Sequence, residues 1–483
     1  MPDIVGGLPH IYSIQKPKKD PQVSLAGHRA GQRASSSPVP FDRIQSAFGI
    51  ALHMHQPMIP AQDNVDLRDA AIISNLQYMM QHQHIGDNHN APVFLWCYSR
   101  ISDFVRELVA SGRNPRVMLD YSGCLLWGLQ QMGELRVLDN LKLVTSDKRY
   151  HRYVEWLGTT WSHAVVTSTP VPDIGLHIAA WRAHFESIFG SEALERVKGF
   201  SAPEMHLPIH PDVFYEYIKT LKDAGYEWLM VQEHTIENTD GTGLRRQYFP
   251  HRLVAKNSMG RTCEIVALIK TQGSDTKLVG QMQPCYEARS KGRDEYSGKS
   301  LAPYVLQIAD GENGGVMMNE FPHMFNRVFH EIGTEGVIGM NGSEYLECVR
   351  RSGVKEEDFI PVQPILQHRI WNEMKEYAPG AADRAIEKIR EKDQQFNLDR
   401  GSWTNDKNWV KGYKSVLDPI NSLSVLFHER FDREKDPDNP RYKKALLYLL
   451  LSQTSCFRYW GEGLWTDYAR EICRRGLECL KSS

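Results

Sequence analysis

Two short apolar runs in this sequence each stop abruptly at a carboxylate. Gly199-Phe-Ser-Ala-Pro-Glu-Met-His-Leu-Pro208 places Glu204 just outside a strand-like stretch, Val197 to Ala202, that Pro203 ends. Tyr304-Val-Leu-Gln-Ile-Ala-Asp-Gly-Glu312 does the same, with Asp310 and Glu312 at its exit and Gly311, Gly314 and Gly315 supplying a turn. Carboxylates at the carboxyl ends of separate buried strands are where a parallel α/β barrel keeps its catalytic groups. Two carboxylates facing one gap are what cleavage of a glycosidic bond requires.

Other residues could serve the same gap. His53-Met-His-Gln-Pro57 ends the first strand-like run, and alternation puts His53 and His55 on one face. Two imidazoles there could hydrogen-bond sugar hydroxyls or bind a metal; the plainer reading is a pair of satisfied histidines in a turn. Each carboxylate also has a plain reading as a surface acid in a turn. Trp96, Trp127, Trp228 and Tyr121 fall near strand ends, where aromatic faces can pack on sugar rings, although Trp more often sits in a core. The tract Gln81 to His89 is rich in histidine but lacks the ligand spacing of a zinc site. Gly311 to Gly315 is no phosphate loop, since no Gly-Lys-Ser/Thr follows it.

The elements that must position these residues alternate in type. Ser46 to His53, Pro92 to Cys97, Arg116 to Asp120, Ala164 to Ser168, Val197 to Ala202 and Trp228 to Gln232 read as strands. Ser99 to Ala110, Gly123 to Met132, Gly175 to Ile188 and Pro211 to Ala224 read as helices between them. Such alternation predicts a parallel sheet with helices outside it. Ser274 to Lys299 is a polar interruption that reads as a mobile surface loop. Beyond it the pattern turns wholly helical, over 381–396, 413–430, 441–452 and 466–480. The expected division is a flexible arm over 1–45, a barrel over 46–358 and an α-helical C-terminal domain over 359–483.

Composition is that of an ordinary globular protein, with 41% hydrophobic and 24% charged residues. A net charge of −2 gives no reason to expect nucleic acid or an anionic membrane as partner. The eight cysteines form no CxxC pair, which favours reduced thiols. The start, Met1 to His10, lacks the pattern of a secretory signal, and no window reaches the ~20 apolar residues of a spanning helix. A cytoplasmic protein is the expectation.

Taken together, the stretches resemble glycoside hydrolase family 57. His53 to Pro57 looks like its first conserved region, Ser122-Gly-Cys-Leu-Leu-Trp-Gly-Leu129 like its second, Phe200 to Pro208 like its third and Ala309 to Gly314 like its fourth. Ser343 to Glu347, Gly401-Ser-Trp403 and Gln453 to Trp460 resemble later segments. The resemblance implies a seven-stranded (β/α) barrel followed by helices, acting on α-glucans or maltooligosaccharides with retention of configuration and no cofactor or metal. It carries the nucleophile to Glu204 and the general acid/base to Asp310. The expected substrate-binding set is His53, His55, Gln56, Trp127, His206, His234, Glu312, Trp403 and Trp460. The fourth region departs from the family pattern, leaving Glu320 as a rival to Asp310 or Glu312. Two other readings stand beside this one. A metal-dependent carbohydrate deacetylase would recast His53, His55 and Asp310 as ligands, and a glucan-binding homologue would bind without turnover. Homo-oligomerisation is left open.

Overall fold

The computed structural model describes residues 5, 7–11, 39–63, 65–271, 276–312, 315–399, 412–432 and 436–481. Seven strands form its centre: β1 (Ile44–Met54), β2 (Val117–Tyr121), β3 (Val154–Gly158), β4 (Gly199–Ser201), β5 (Trp228–Gln232), β6 (Thr262–Lys270) and β7 (Tyr304–Asp310). Each pairs in parallel with the next, and β7 pairs with both β6 and β1, so the sheet closes into a barrel.

Alternation along these strands sorts the core into two layers. Ala47, Ala51, Met118, Leu157, Met230, Leu268, Leu306 and Ile308 belong to one cluster, inside the barrel. Their neighbours Phe48, Leu52, Leu119, Trp156, Phe200, Val231, Ile269 and Val305 belong to another, shared with the surrounding helices. This period of two is what a strand buried on both faces requires. Further strands widen the wall. Gly336–Gly339 runs parallel to the start of β1, and His251–Lys256, Ile360–Pro364 and Ile236–Asn238 extend the sheet beyond β6.

Several elements differ from the sequence reading. Pro92 to Cys97 is the opening of a helix, Ala91–Ala110, not a strand. Proline is tolerated there because its missing N–H has no partner to lose, and Cys97, Ile101, Val105 and Leu108 bury at helical spacing. Ala164 to Ser168 holds a 3-10 turn, Val166–Ser168, and the barrel strand lies earlier, at β3. Glu155 breaks the apolar pattern of β3; it is buried, and its carboxylate accepts from the Ser343 N–H at 3.0 Å and the Ser343 hydroxyl at 2.5 Å. The stretch expected as a mobile loop is structured over 277–301. It carries helices Lys277–Gly280 and Gln283–Arg289 and a hairpin of Asp294–Tyr296 with Lys299–Leu301. Val279, Met282, Cys285 and Ala288 bury its inner side, and residues 272–275 lie outside the described ones.

After Ile360–Pro364 the described elements are helices. Lys414–Phe431, Pro440–Ser452 and Leu464–Lys481 pack together, and their apolar faces join the cluster that lies outside the barrel strands. Polar contacts fasten the same junction. The Ser162 hydroxyl donates to the Leu450 carbonyl at 2.6 Å, and His428 Nε2 lies 2.7 Å from the buried Asp173 carboxylate. Among the described residues no helix is long and apolar enough to cross a membrane. All eight cysteines are free of disulfides.

Candidate active site

The inward alternation delivers polar residues to the carboxyl ends of the strands. His53 in β1 is level with Asp120 in β2 on one side and with Asp310 in β7 on the other. Ser201 ends β4, and Pro203 then turns the chain so that Glu204 faces the same space. That turn requires left-handed backbone at two non-glycine residues, Glu204 (φ 58°) and Met205 (φ 50°). His163, which follows β3, is left-handed too (φ 59°). Non-glycine residues held in this region cluster at functional sites, where surrounding structure sustains the strain.

These residues line one cavity of about 410 Å³. Glu204, Asp310 and Glu312 supply its acids, and His53, His55 and His163 its imidazoles. The helical region closes it from above with Ser455, Cys456 and Trp460, while Phe94 comes from the Ala91–Ala110 helix.

The three imidazole rings form a stack. His55 and His163 lie 4.5 Å apart at 17°, and His53 and His163 lie 4.6 Å apart at 35°. Their protonation differs. Burial alone would lower the pKa of His53, but the Asp120 carboxylate 3.0 Å from its Nδ1, with Asp310 and Glu312 behind it, pushes it up to about 9. Burial, and then the charge on His53, hold His55 well below the usual range. His163 is held low by burial and by both neighbouring histidines. One imidazolium therefore sits among acids, with two neutral rings beside it. His55 Nδ1 lies 2.7 Å from the Ser122 hydroxyl, and His163 Nδ1 lies 2.7 Å from the Ser455 hydroxyl and 3.9 Å from Glu204 Oε1.

Glu312 behaves unlike an ordinary carboxylate. Burial, followed by the charge on Asp310, pushes its pKa up to about 8. Its Oε1 accepts from the Tyr98 hydroxyl at 3.3 Å and the His55 backbone N–H at 3.4 Å, whereas Oε2 has no partner among the described residues. At neutral pH it is a protonated acid beside the cavity.

Of the residues singled out in the sequence, Glu204, Asp310, His53, His55, Gln56, Glu312 and Trp460 meet at this cavity. Others do not. Trp127 is buried with its ring 6.1 Å from Trp161, so it is core rather than wall. His206 is fully buried against the Thr167 hydroxyl at 2.7 Å, and burial pushes it down to about 3. His234 lies in the turn Glu233–Thr235 and does not line the cavity. Trp403 lies outside the described residues. Glu320 accepts from Gln281 Nε2 at 2.9 Å on the exposed surface, off the cavity. Asp120, His163 and Cys456 are the residues that sequence reasoning missed. Asp120 had a usable signal, as the polar end of an apolar strand, and Cys456 lay within the singled-out segment Gln453 to Trp460, but His163 arrives on a connection that carries none.

The metal reading finds little support in the donor geometry. His55 Nε2 lies 3.6 Å from the Cys456 thiol, and His53 Nδ1 is engaged by Asp120. Among the described residues, the donor atoms that converge closely enough for a metal are those of His210, Asp212 and Asp383, none of which lines this cavity.

Residues 49–278 match the model of glycosyl hydrolase family 57. The matched segment contains the strand ends that carry His53, Asp120 and Glu204 but stops short of Asp310, which joins the site through the closure of β7 onto β1. No curated protein matches the sequence. Among solved structures, the 4-alpha-glucanotransferase of Thermococcus litoralis superposes with a TM-score of 0.53 at 17% identity. The match covers 90% of this chain and 59% of the glucanotransferase, so this chain spans well under two thirds of that protein's length. A family 57 branching enzyme of Thermococcus kodakaraensis gives a TM-score of 0.48 at 15% identity, covering 90% of this chain and 89% of that one. The likeness to the glucanotransferase is one of fold.

Proposed function

We propose that this chain is a family 57 enzyme of the retaining kind, acting on α-glucans and either hydrolysing them or transferring segments between them. The observation that supports this reading best is the meeting of Glu204 and Asp310, far apart in sequence, on the wall of one cavity at a barrel mouth. The proposed reaction is a double displacement. The Glu204 carboxylate attacks the anomeric carbon, and the departing glycosidic oxygen takes a proton from Asp310. Asp310, now ionised, removes a proton from water or from an acceptor sugar hydroxyl. That oxygen then attacks the anomeric carbon and releases Glu204. The two carboxyl groups of a retaining pair stand roughly 5–5.5 Å apart. The imidazolium of His53 would stabilise the ionised Asp310, and the neutral His55 and His163 would hydrogen-bond sugar hydroxyls without adding charge. Starch-like or glycogen-like polymers and maltooligosaccharides are the proposed substrates, and the cytoplasm, in keeping with free thiols, the proposed location.

One observation favours a second reading of the proton donor. Glu312 is pushed up to about 8 and its Oε2 has no partner among the described residues, so it could supply the first proton in place of Asp310. Incubation with maltoheptaose tests the proposal. Shorter products alone indicate a hydrolase, and longer ones as well indicate a transferase. An enzyme inert on maltoheptaose, glycogen and pullulan alike would refute it. Asp310→Asn and Glu312→Gln then separate the two donors, because only the true donor's loss is relieved by a substrate whose leaving group needs no proton.

A further inference from the structure

We propose that the end of the barrel where the strands begin carries a second binding site, one for a small organic phosphate. A cavity of about 490 Å³ lies among the residues that lead into β2 and β3 and the connection before Gly336–Gly339. Its walls thus precede the strands, whereas the residues of the active site follow them, so the two cavities occupy opposite ends of the barrel.

The lining includes Arg113 and Arg152 and no aspartate or glutamate. Over the whole chain acidic residues outnumber basic ones, 59 to 57, so an acid-free cavity is not what composition alone would produce. Among the described residues neither guanidinium has a carboxylate partner. Arg152 lies over the Tyr153 ring at 4.6 Å and donates to the Tyr153 hydroxyl at 2.5 Å, which holds its fork in place without neutralising it. Arg116, in the same corner, shows the contrast: it is bidentate to Glu344 at 2.7 and 3.0 Å. Two uncompensated guanidiniums at one cavity suit a phosphate monoester, whose charge and oxygens both forks can share. The rest of the wall mixes the polar Asn114 and Thr334 with apolar side chains such as Val109, Phe329 and Ile332, which would cover a carbon skeleton. The volume lies in the range of small-molecule sites and exceeds what inorganic phosphate would fill.

Calorimetric titration of the full chain with inorganic phosphate, glucose 6-phosphate and AMP, at constant ionic strength, tests this. The expected result is saturable binding of at least one ester, tighter than that of inorganic phosphate. The ester that binds better identifies the sugar or the nucleoside as the preferred skeleton. Arg113→Ala and Arg152→Ala, both on exposed turns, should each weaken that binding by about tenfold. The site is overturned by no saturable binding of any probe up to about 10 mM, by inorganic phosphate binding as tightly as the esters, or by an affinity indifferent to both substitutions. Should either variant fail to fold, the wild-type titration alone still decides the first two of these outcomes.

Discussion

Glu204 occupies a backbone conformation that its own side chain disfavours. With φ at 58° and Met205 beside it at 50°, the turn would suit glycine, and an L side chain there costs roughly 1 kcal/mol. Glu204→Gly is therefore expected to raise stability by about 1 kcal/mol in urea unfolding while abolishing turnover. Unchanged or lower stability would mean that the turn is not strained. The acids and histidines of the cavity make a second expectation. Glu312 has its pKa raised from 4.5 to about 8, and His53 from 6.5 to about 9. In both cases the folded chain keeps a proton that the unfolded chain gives up, so the stabilisation is complete below the unfolded value and disappears as pH rises through the folded one. Stability contributed by these two groups should fall between about pH 4.5 and pH 9, and Glu312→Gln should flatten the early part of that fall. A stability flat across this range would contradict the assignment. At this scale His53, Glu204 and Asp310 were legible because each ends or follows an apolar run. His163 was not, because nothing local marks a residue that arrives at a cavity on a connection, and Cys456 was passed over inside a segment, Gln453 to Trp460, from which only the tryptophan was drawn.

The strands are held at close quarters by glycines. A Cβ on Gly199 in β4 would stand 2.3 Å from the Trp228 ring and 2.9 Å from Leu157, and one on Gly342 would stand 2.4 Å from the same ring. Gly199→Ala should cost about 1–3 kcal/mol, read from the urea midpoint, and should shift the strand that ends before Glu204. A neutral substitution would mean that Trp228 has room to move. Element type was readable where periodicity ran long, as in the helix Pro211–Asp223. It failed for Pro92 to Cys97, because a short apolar run fits a buried strand or a buried helix face equally well. β3 escaped because Glu155 interrupts it, satisfied by Ser343 in a way that only the folded barrel reveals. β6, nine residues from Thr262 to Lys270, passed unremarked although six of them are buried.

At the scale of the molecule, the barrel and the C-terminal helices share one apolar cluster, and the helical region closes the cavity with Ser455, Cys456 and Trp460. The buried Asp173 is fixed from that side by His428 and by Gln453, whose amide also faces His177. Heating is expected to unfold barrel and helices in a single transition, followed by calorimetry, and removal of residues 412–483 should leave a chain that does not fold. Two separate transitions would show the helical region to be an independent unit.

The central claim is that Glu204 bonds covalently to a sugar while Asp310 manages the proton. Mass spectrometry of peptides from enzyme treated with a 5-fluoro glucosyl fluoride reads this directly, since the fluorine slows release of the intermediate. The expected result is one hexosyl adduct, carried by the peptide that contains Glu204 and absent from Glu204→Gln. An adduct on any other residue, or an active enzyme that forms none, would contradict it.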